Sequence, residues 1–334
     1  MSNETEFLAR SPSSPRAPIA GRTAWLRRDL AESDYLVRLS QDCIVELKNC
    51  AAELGARPLP TILLTPEEYP MPACRAVMAQ VRSTLQCGCG FAIVERIPMD
   101  QISPAQAIAL YWLLSSMIAR PVAQKLDGTM IYDVLDTGLT ATPGSGIRRD
   151  KTGMELSYHT DNSYNTCPPE YVGLLCIRPA RSGGLSRVIS LHALHNRVLR
   201  QSPTVLDRLY SPYWFDRQRE HFEWEPKVLS APVFQSTEDQ VNARISPHQI
   251  RGGYVVKGDA MDRDTAASLD LIEETFDDEE LTIEFGLTPG MLEYTNNLVI
   301  GHSRTAFEDY AEPTRKRWLV RLWLRDRGRQ AYTG

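Results

Sequence analysis

The sequence predicts an α+β, mainly β protein: a double-stranded β-helix, or jelly roll, with N-terminal and inserted helices. Three observations lead there. β-rich runs recur from about residue 91 to residue 325, they do not alternate regularly with helices as βαβ units would, and the helical patterns lie before and among them. The composition suits a folded globular chain, since 43% of the 334 residues are hydrophobic and 24% are charged.

Residues 1–24 include Ser11-Pro-Ser-Ser-Pro-Arg-Ala-Pro18 and read as a flexible lead-in, followed by a single domain over 25–334. From Trp25 to Leu54 the apolar residues Leu36, Leu39, Cys43 and Leu47 recur near helical spacing, and Gly55 is a natural stop. This helical start is expected to pack on the outside of the domain. A proline-punctuated link then leads to a second helix over Ala73–Leu85. Phe91–Ile97 reads as a strand behind Gly88 and Gly90, and Ser103-Pro104 as the capped start of a helix over Ala105–Ala119. Thr129–Leu135 is β-rich. The Gly-, Thr- and charge-rich stretch 136–155, with its Arg148-Arg149 pair, is long enough to read as a lid.

Further on, Arg187–Ser190 reads as a strand, and His192–Leu199 and Thr204–Leu209 as helices. An insertion over about 192–280 carries short β segments at Tyr213–Asp216, Ala231–Phe234 and Val241–Ile245, then an amphipathic helix over 264–278. Leu281–Phe285 opens the last strands. These turn at Pro289-Gly290, run through Asn296-Asn297 to His302, and return as Trp318–Arg325.

Charge and hydropathy exclude some functions. A net charge of -5 offers no basic footprint for nucleic acid. The longest apolar run, Ala107–Ala119, is too short to span a bilayer, and the acidic N-terminus lacks the pattern of a signal peptide. Seven irregularly spaced cysteines suit a reducing compartment, so a cytoplasmic protein is expected, with Cys87-Gly-Cys89 structural. The expected partner is a small molecule, with no nucleic acid and no membrane; the oligomeric state is left open.

The chemistry concentrates in Ser157-Tyr-His-Thr-Asp-Asn-Ser-Tyr-Asn165. On an extended segment His159 and Asp161 point to one side and can share a cation; on a helix they would diverge, so the segment is expected to be a strand or strand end. Among six histidines, His302 is the third candidate, because it follows the β-rich run Met291–Gly301. Two imidazoles and a carboxylate leave half an octahedron open, a set that suits non-haem Fe(II). His192 and His195 have the i,i+3 spacing of a rival pair, but no carboxylate accompanies them and a surface role is expected. His221 and His248 carry no motif.

With Tyr171–Ile177, Arg178-Pro-Ala-Arg-Ser-Gly-Gly-Leu-Ser186, Ser303–Asp309 and Arg317-Trp-Leu-Val-Arg-Leu-Trp-Leu-Arg325 around it, the motif resembles the taurine dioxygenase and clavaminate synthase-like family of Fe(II)/2-oxoglutarate-dependent oxygenases, over roughly Cys87–Arg325. The resemblance implies the same jelly roll and a set of roles. His159, Asp161 and His302 bind Fe(II). Arg317, fifteen residues beyond His302, pairs with the distal carboxylate of 2-oxoglutarate, for which a planar guanidinium is well suited. Ser186 stands where relatives often carry a threonine on the same carboxylate. Arg321, which shares a strand face with Arg317, and Arg244 in the insertion are candidate substrate contacts, each with a structural role as the alternative.

The activity so implied is hydroxylation of an unactivated C–H bond in a small anionic or zwitterionic molecule, consuming O2 and 2-oxoglutarate and releasing succinate and CO2. Desaturation or cyclisation, a cupin-like oxygenase that uses no oxo acid, and a binding protein without catalysis are the rival readings.

Overall fold

A computed structural model of the chain describes residues 17–138, 149–237 and 240–334. The expected lead-in up to residue 16 and the middle of the expected lid, with Arg148, lie outside them. After 3-10 turns at Arg27–Asp29 and Glu32–Asp34 come β1 (Leu36–Val37), α1 (Gln41–Ala56), α2 (Pro72–Cys87), β2 (Phe91–Val94), α3 (Pro104–Ile118), β3 (Arg120–Val122) and β4 (Tyr132–Val134). Next are β5 (Leu156–His159), β6 (Tyr171–Arg178), β7 (Ser182–Gly183), β8 (Ser186–Ser190), α4 (Leu191–Gln201) and α5 (Pro203–Leu209). The insertion continues with β9 (Tyr213–Asp216), β10 (Val228–Ala231), β11 (Phe234–Ser236), β12 (Val241–Ala243), α6 (Pro247–Lys257) and α7 (Arg263–Phe276). The chain closes with β13 (Thr282–Phe285), β14 (Leu292–Asn296), β15 (Ile300–Arg304), β16 (Phe307–Glu308) and β17 (Trp318–Arg325).

Two sheets frame the site. The larger has the order β1-β2-β14-β6-β17-β3, with β4 also on β17; the smaller has the order β13-β8-β15-β5. Period-two alternation divides the large sheet's side chains between its two faces. On β17, Val320, Leu322 and Leu324 join α1, α2 and α3 in one apolar cluster, as do Leu292 and Tyr294 of β14. The intervening residues, among them Glu293, Leu319, Arg321 and Trp323, therefore point away from the helices. On that second face, Phe91 of the large sheet packs in one cluster with Val188, Ile283 and Ile300 of the small one. The sheets thus face each other, with helices covering the outer side of the larger.

Local chemistry explains the start of α3, one of the helices that cover the large sheet. Ser103 Oγ accepts from the Gln106 amide while Gln106 Oε1 accepts from the Ser103 amide, a reciprocal cap on α3. Gln106 Nε2 then donates to Ala51 O at 2.7 Å, tying α3 to α1.

Several expectations are corrected. Of the helix expected over Trp25–Leu54, the first half is 3-10 turns and β1, and α1 begins at Gln41 behind the Ser40 cap, running through Gly55. Thr129–Leu135 forms only the short β4. The run Met291–Gly301 is not one strand: it is β14 in the large sheet and the start of β15 in the small, divided at Asn297. His302 accordingly lies inside β15. Helix α6 was not anticipated, because its Gly252 and Gly253 weaken the helical pattern; Gly253 is there because a Cβ would come 2.2 Å from Trp214 O of β9.

Candidate metal centre

Strands β5 and β15 pair antiparallel in a register that sets His159 directly opposite His302. Two imidazoles that are 143 positions apart in sequence therefore face each other, with ring centroids 4.4 Å apart. Asp161 sits just past the end of β5, as the strand-end reading required, and its Oδ1 lies 3.6 Å from His159 Nε2 and 3.7 Å from His302 Nε2. The three ligand atoms lie within 4.8 Å of one another. His159 Nδ1 is 3.0 Å from the Ser157 carbonyl, an acceptor only, so Nδ1 carries the proton and Nε2 presents its lone pair to the centre. Burial, reinforced by His159, lowers the pKa of His302 and keeps its imidazole neutral.

Asp161 is held at every polar atom. Asn297, in the turn between the two sheets, accepts from its backbone N–H at 2.8 Å and donates to its carbonyl at 2.9 Å. On the side chain, Arg321 Nη1 reaches Oδ1 at 3.2 Å and the Trp323 indole N–H donates to Oδ2 at 2.6 Å. Burial alone would raise the carboxyl's pKa; Arg321 and the two imidazoles outweigh it and hold the group well below the usual carboxylate range.

Two cavities flank the cluster. One runs between the sheets and is lined by His302, Ser186, Glu293, Arg304, Arg317 and Leu319. Ser186 Oγ donates to Glu293 Oε2 at 2.9 Å across that space. Arg317 is 4% exposed, and its Nη1 has no hydrogen-bond partner among the described residues. Burial lowers its pKa, while Cys176 and Asp309 oppose this. The second cavity opens on the other side of His159 and Asp161, walled by Asn162, Tyr164, Gln218, His248 and Gln249, with Arg321 and Trp323 at its base. Its polar wall comes largely from the insertion.

The structure thus brings His159, Asp161 and His302 together and sets Ser186, Arg317 and Arg321 around them. Arg321 is already engaged: besides Asp161 it meets Asp150 Oδ2 at 3.2 Å and Gln124 Oε1 at 2.9 Å. The guanidinium end of Arg244 is buried, and the residue lines neither of these two cavities. Its guanidinium donates to the Ser163 and Asn165 carbonyls, bracing the loop behind Asp161. His192 and His195 are not on the surface, being 3% and 0% exposed. Instead, His192 Nε2 lies 2.7 Å from Val241 O and His195 Nε2 3.0 Å from Tyr210 Oη, so the pair packs the insertion's core. His248, which no motif marked, lines the outer cavity.

Glu293, Asn297, Trp323 and Asp150 escaped the sequence reading. Of these only Asn297 carried a signal, as half of a turn-favouring Asn-Asn pair inside a β-rich run.

The family described as "Taurine catabolism dioxygenase TauD, TfdA family" matches residues 57–323. FR-33289 synthase of Streptomyces rubellomurinus is 24% identical over 320 residues, covering 94% of this chain and 93% of that one. The enduracididine beta-hydroxylase of Streptomyces hygroscopicus is 24% identical over 254 residues, 67% of this chain and 68% of that one. Among solved structures, asparagine oxygenase with Fe(II), 2S,3S-3-hydroxyasparagine and succinate superimposes with a TM-score of 0.64 at 19% identity, covering 89% of this chain and 98% of that one. The non-heme iron oxygenase OrfP with Fe, succinate and (3S)-hydroxy-L-Arg gives 0.62 at 15% identity, covering 87% and 94%. A match across most of the chain, on a mixed helix and sheet fold shared with these oxygenases, means that this chain belongs to the taurine catabolism dioxygenase TauD, TfdA family.

Proposed function

We propose that this protein is an Fe(II)- and 2-oxoglutarate-dependent oxygenase that hydroxylates an unactivated C–H bond of a small amino-acid-like or carboxylate-bearing molecule. Its two facing sheets form the jelly roll of a single domain over residues 25–334. One observation carries the reading: the two histidines of the donor cluster His159, Asp161 and His302 line the same cavity as Arg317, a buried guanidinium with an unused donor. A buried unsatisfied donor costs on the order of 1–3 kcal/mol, more for a charged group, and a carboxylate at that point would relieve the cost.

The donor set fits the metal, since two neutral imidazoles and one carboxylate leave positions open for a chelating oxo acid and dioxygen. When bound, Fe(II), 2-oxoglutarate and O2 supply the oxidation, leaving succinate, CO2 and one oxygen atom on the substrate carbon. The chain supplies position. Arg317 pairs the distal carboxylate of the oxo acid, with Ser186 on the facing strand. Trp323 and Arg321 keep Asp161 from rotating, so that its Oδ1 stays turned toward the two Nε2 atoms. Gln218, His248 and Gln249 form the polar wall on the outer side, where a zwitterion finds both donors and acceptors. The relatives support this substrate class, because enduracididine beta-hydroxylase, asparagine oxygenase and OrfP with hydroxy-L-Arg all name amino acids.

The test is anaerobic addition of Fe(II) and 2-oxoglutarate, read by the metal-to-ligand charge-transfer band, followed by a panel of amino acids and small acids scored by succinate release under O2. A band with amino-acid-stimulated succinate supports the reading. Folded, iron-loaded protein that gives no band sinks it.

A further inference from the structure

Glu293 is an anomaly for a co-substrate pocket. It places a carboxyl, 3% exposed, in a cavity whose proposed ligand is itself a carboxylate. The residue sits mid-strand on β14, paired with Ile93 of β2 on one side and Leu174 of β6 on the other, so neither neighbouring strand offers it a charge. Among the described residues, its hydrogen-bond partner is Ser186, whose Oγ donates to Oε2 from the opposite sheet. An ionised glutamate there would neutralise Arg317 and repel an incoming anion. A protonated one has the opposite effect, since its O–H is a donor beside the guanidinium.

We propose that Glu293 is a co-substrate-binding residue: its carboxyl keeps a proton in the complex and donates it in a hydrogen bond to the distal carboxylate that Arg317 pairs. Ser186 continues to donate to Oε2, which fixes the rotamer and leaves Oε1 to carry the proton. Ser186 then acts on the oxo acid through Glu293 rather than alone. The inference rests on the proposed use of 2-oxoglutarate and adds that binding takes up a proton wherever Glu293 is ionised beforehand.

The surroundings agree. Burial pushes the carboxyl up to about 7, against the pull of the Ser186 hydrogen bond and of Arg317. The other titratable groups near this space are Arg304, Arg321, Asp150, Asp309, the two imidazoles, Cys176 and Tyr111, and Arg321 is held in ion pairs with Asp150 and Asp161. Cys176 is pushed up to about 12 by burial and Tyr111 well above its ordinary value, so both stay neutral. Arg304 is bound to the Thr152 and Met154 carbonyls and keeps its charge near neutral pH.

Calorimetry of 2-oxoglutarate binding to the Fe(II)-loaded protein without oxygen tests this, run at pH 6, 7 and 8 in buffers of differing ionisation enthalpy. The proposal expects roughly tenfold weaker binding at pH 8 than at pH 6 and uptake of about one proton at pH 8, following a group that titrates near 7. Loss of iron by protonation of the imidazoles would weaken binding on the acid side, the opposite sign. E293Q keeps a donor without a charge and is expected to bind with an affinity that is flat over this range. An infrared difference spectrum of wild type against E293Q should show the carbonyl stretch of a protonated carboxyl at pH 6. Binding by wild type with no proton uptake and no pH dependence overturns the proposal while leaving the co-substrate reading intact. No binding at any pH overturns that reading, and this one with it.

Discussion

Asp161 concentrates more constraint than any neighbouring side chain, and its partners suggest how to separate ligation from positioning. D161A removes the only carboxylate of the cluster and is expected to abolish iron binding, as metal analysis after desalting would show. W323F leaves all three ligands in place and removes the 2.6 Å indole hydrogen bond, so iron affinity should fall by about 10- to 100-fold, the range usual for groups that orient a ligand. Retention of full affinity would mean that Arg321 alone holds the carboxylate. Glu293 gives a stability signature independent of any ligand. Its folded pKa, about 7, lies above the ordinary glutamate value of 4.5, so the folded state binds the proton more tightly. The stability this contributes is full below about 4.5 and is lost as pH rises through 7. E293Q should therefore match wild type near pH 4 and exceed it at pH 8 by on the order of 3 kcal/mol, at about 1.4 kcal/mol per pH unit, read from urea midpoints with unchanged slope.

Among the elements, β5 and β15 were the most legible and the least sufficient. His159-x-Asp161 announced a strand end, and β5 ends at His159. Nothing local announced that β15 would place His302 opposite it, because register depends on pairing between segments far apart in sequence. The division of Met291–Gly301 between two sheets was hidden for a related reason. Asn296-Asn297 interrupts it with turn-favouring residues, but only the tertiary fold makes Asn297 a corner between two sheets. The helical reading of Trp25–Leu54 failed at its front half, where Leu36 is spaced for a helix but pairs with Ile93 as β1. Helix α3 packs on the large sheet through Gly173 of β6, where a Cβ would lie 2.5 Å from Tyr111 Oη and 2.8 Å from Tyr294. G173A is expected to destabilise the protein by about 1–3 kcal/mol through overpacking, measured by urea denaturation; a neutral result would show that Tyr111 can swing aside at no cost.

For the molecule as a whole, the arrangement predicts that folding and loading are linked. The centre is assembled from residues of both sheets and from the turn between them, so no single segment of the chain presents the site by itself. Fe(II) with 2-oxoglutarate at about a hundredfold above the dissociation constant should stabilise the fold by about 2.7 kcal/mol, seen as a rise of several degrees in Tm without oxygen. A Tm that ignores both would argue against a site that spans the sheets. The activity class was legible only through the resemblance that the HxD pair, the arginine beyond the last histidine and their flanking segments bear to a known oxygenase family; the fold class was readable from β-rich runs without regular βαβ alternation. Glu293 and Trp323 were not, since facing residues from opposite sheets cannot be matched without the twist and stacking of the whole.

The 2.6 Å contact between Trp323 and Asp161 has one more consequence. An indole so near a paramagnetic ion will have its emission quenched, which makes this one of the chain's six tryptophans an intrinsic optical gauge of iron occupancy, absent from W323F although the other five still fluoresce.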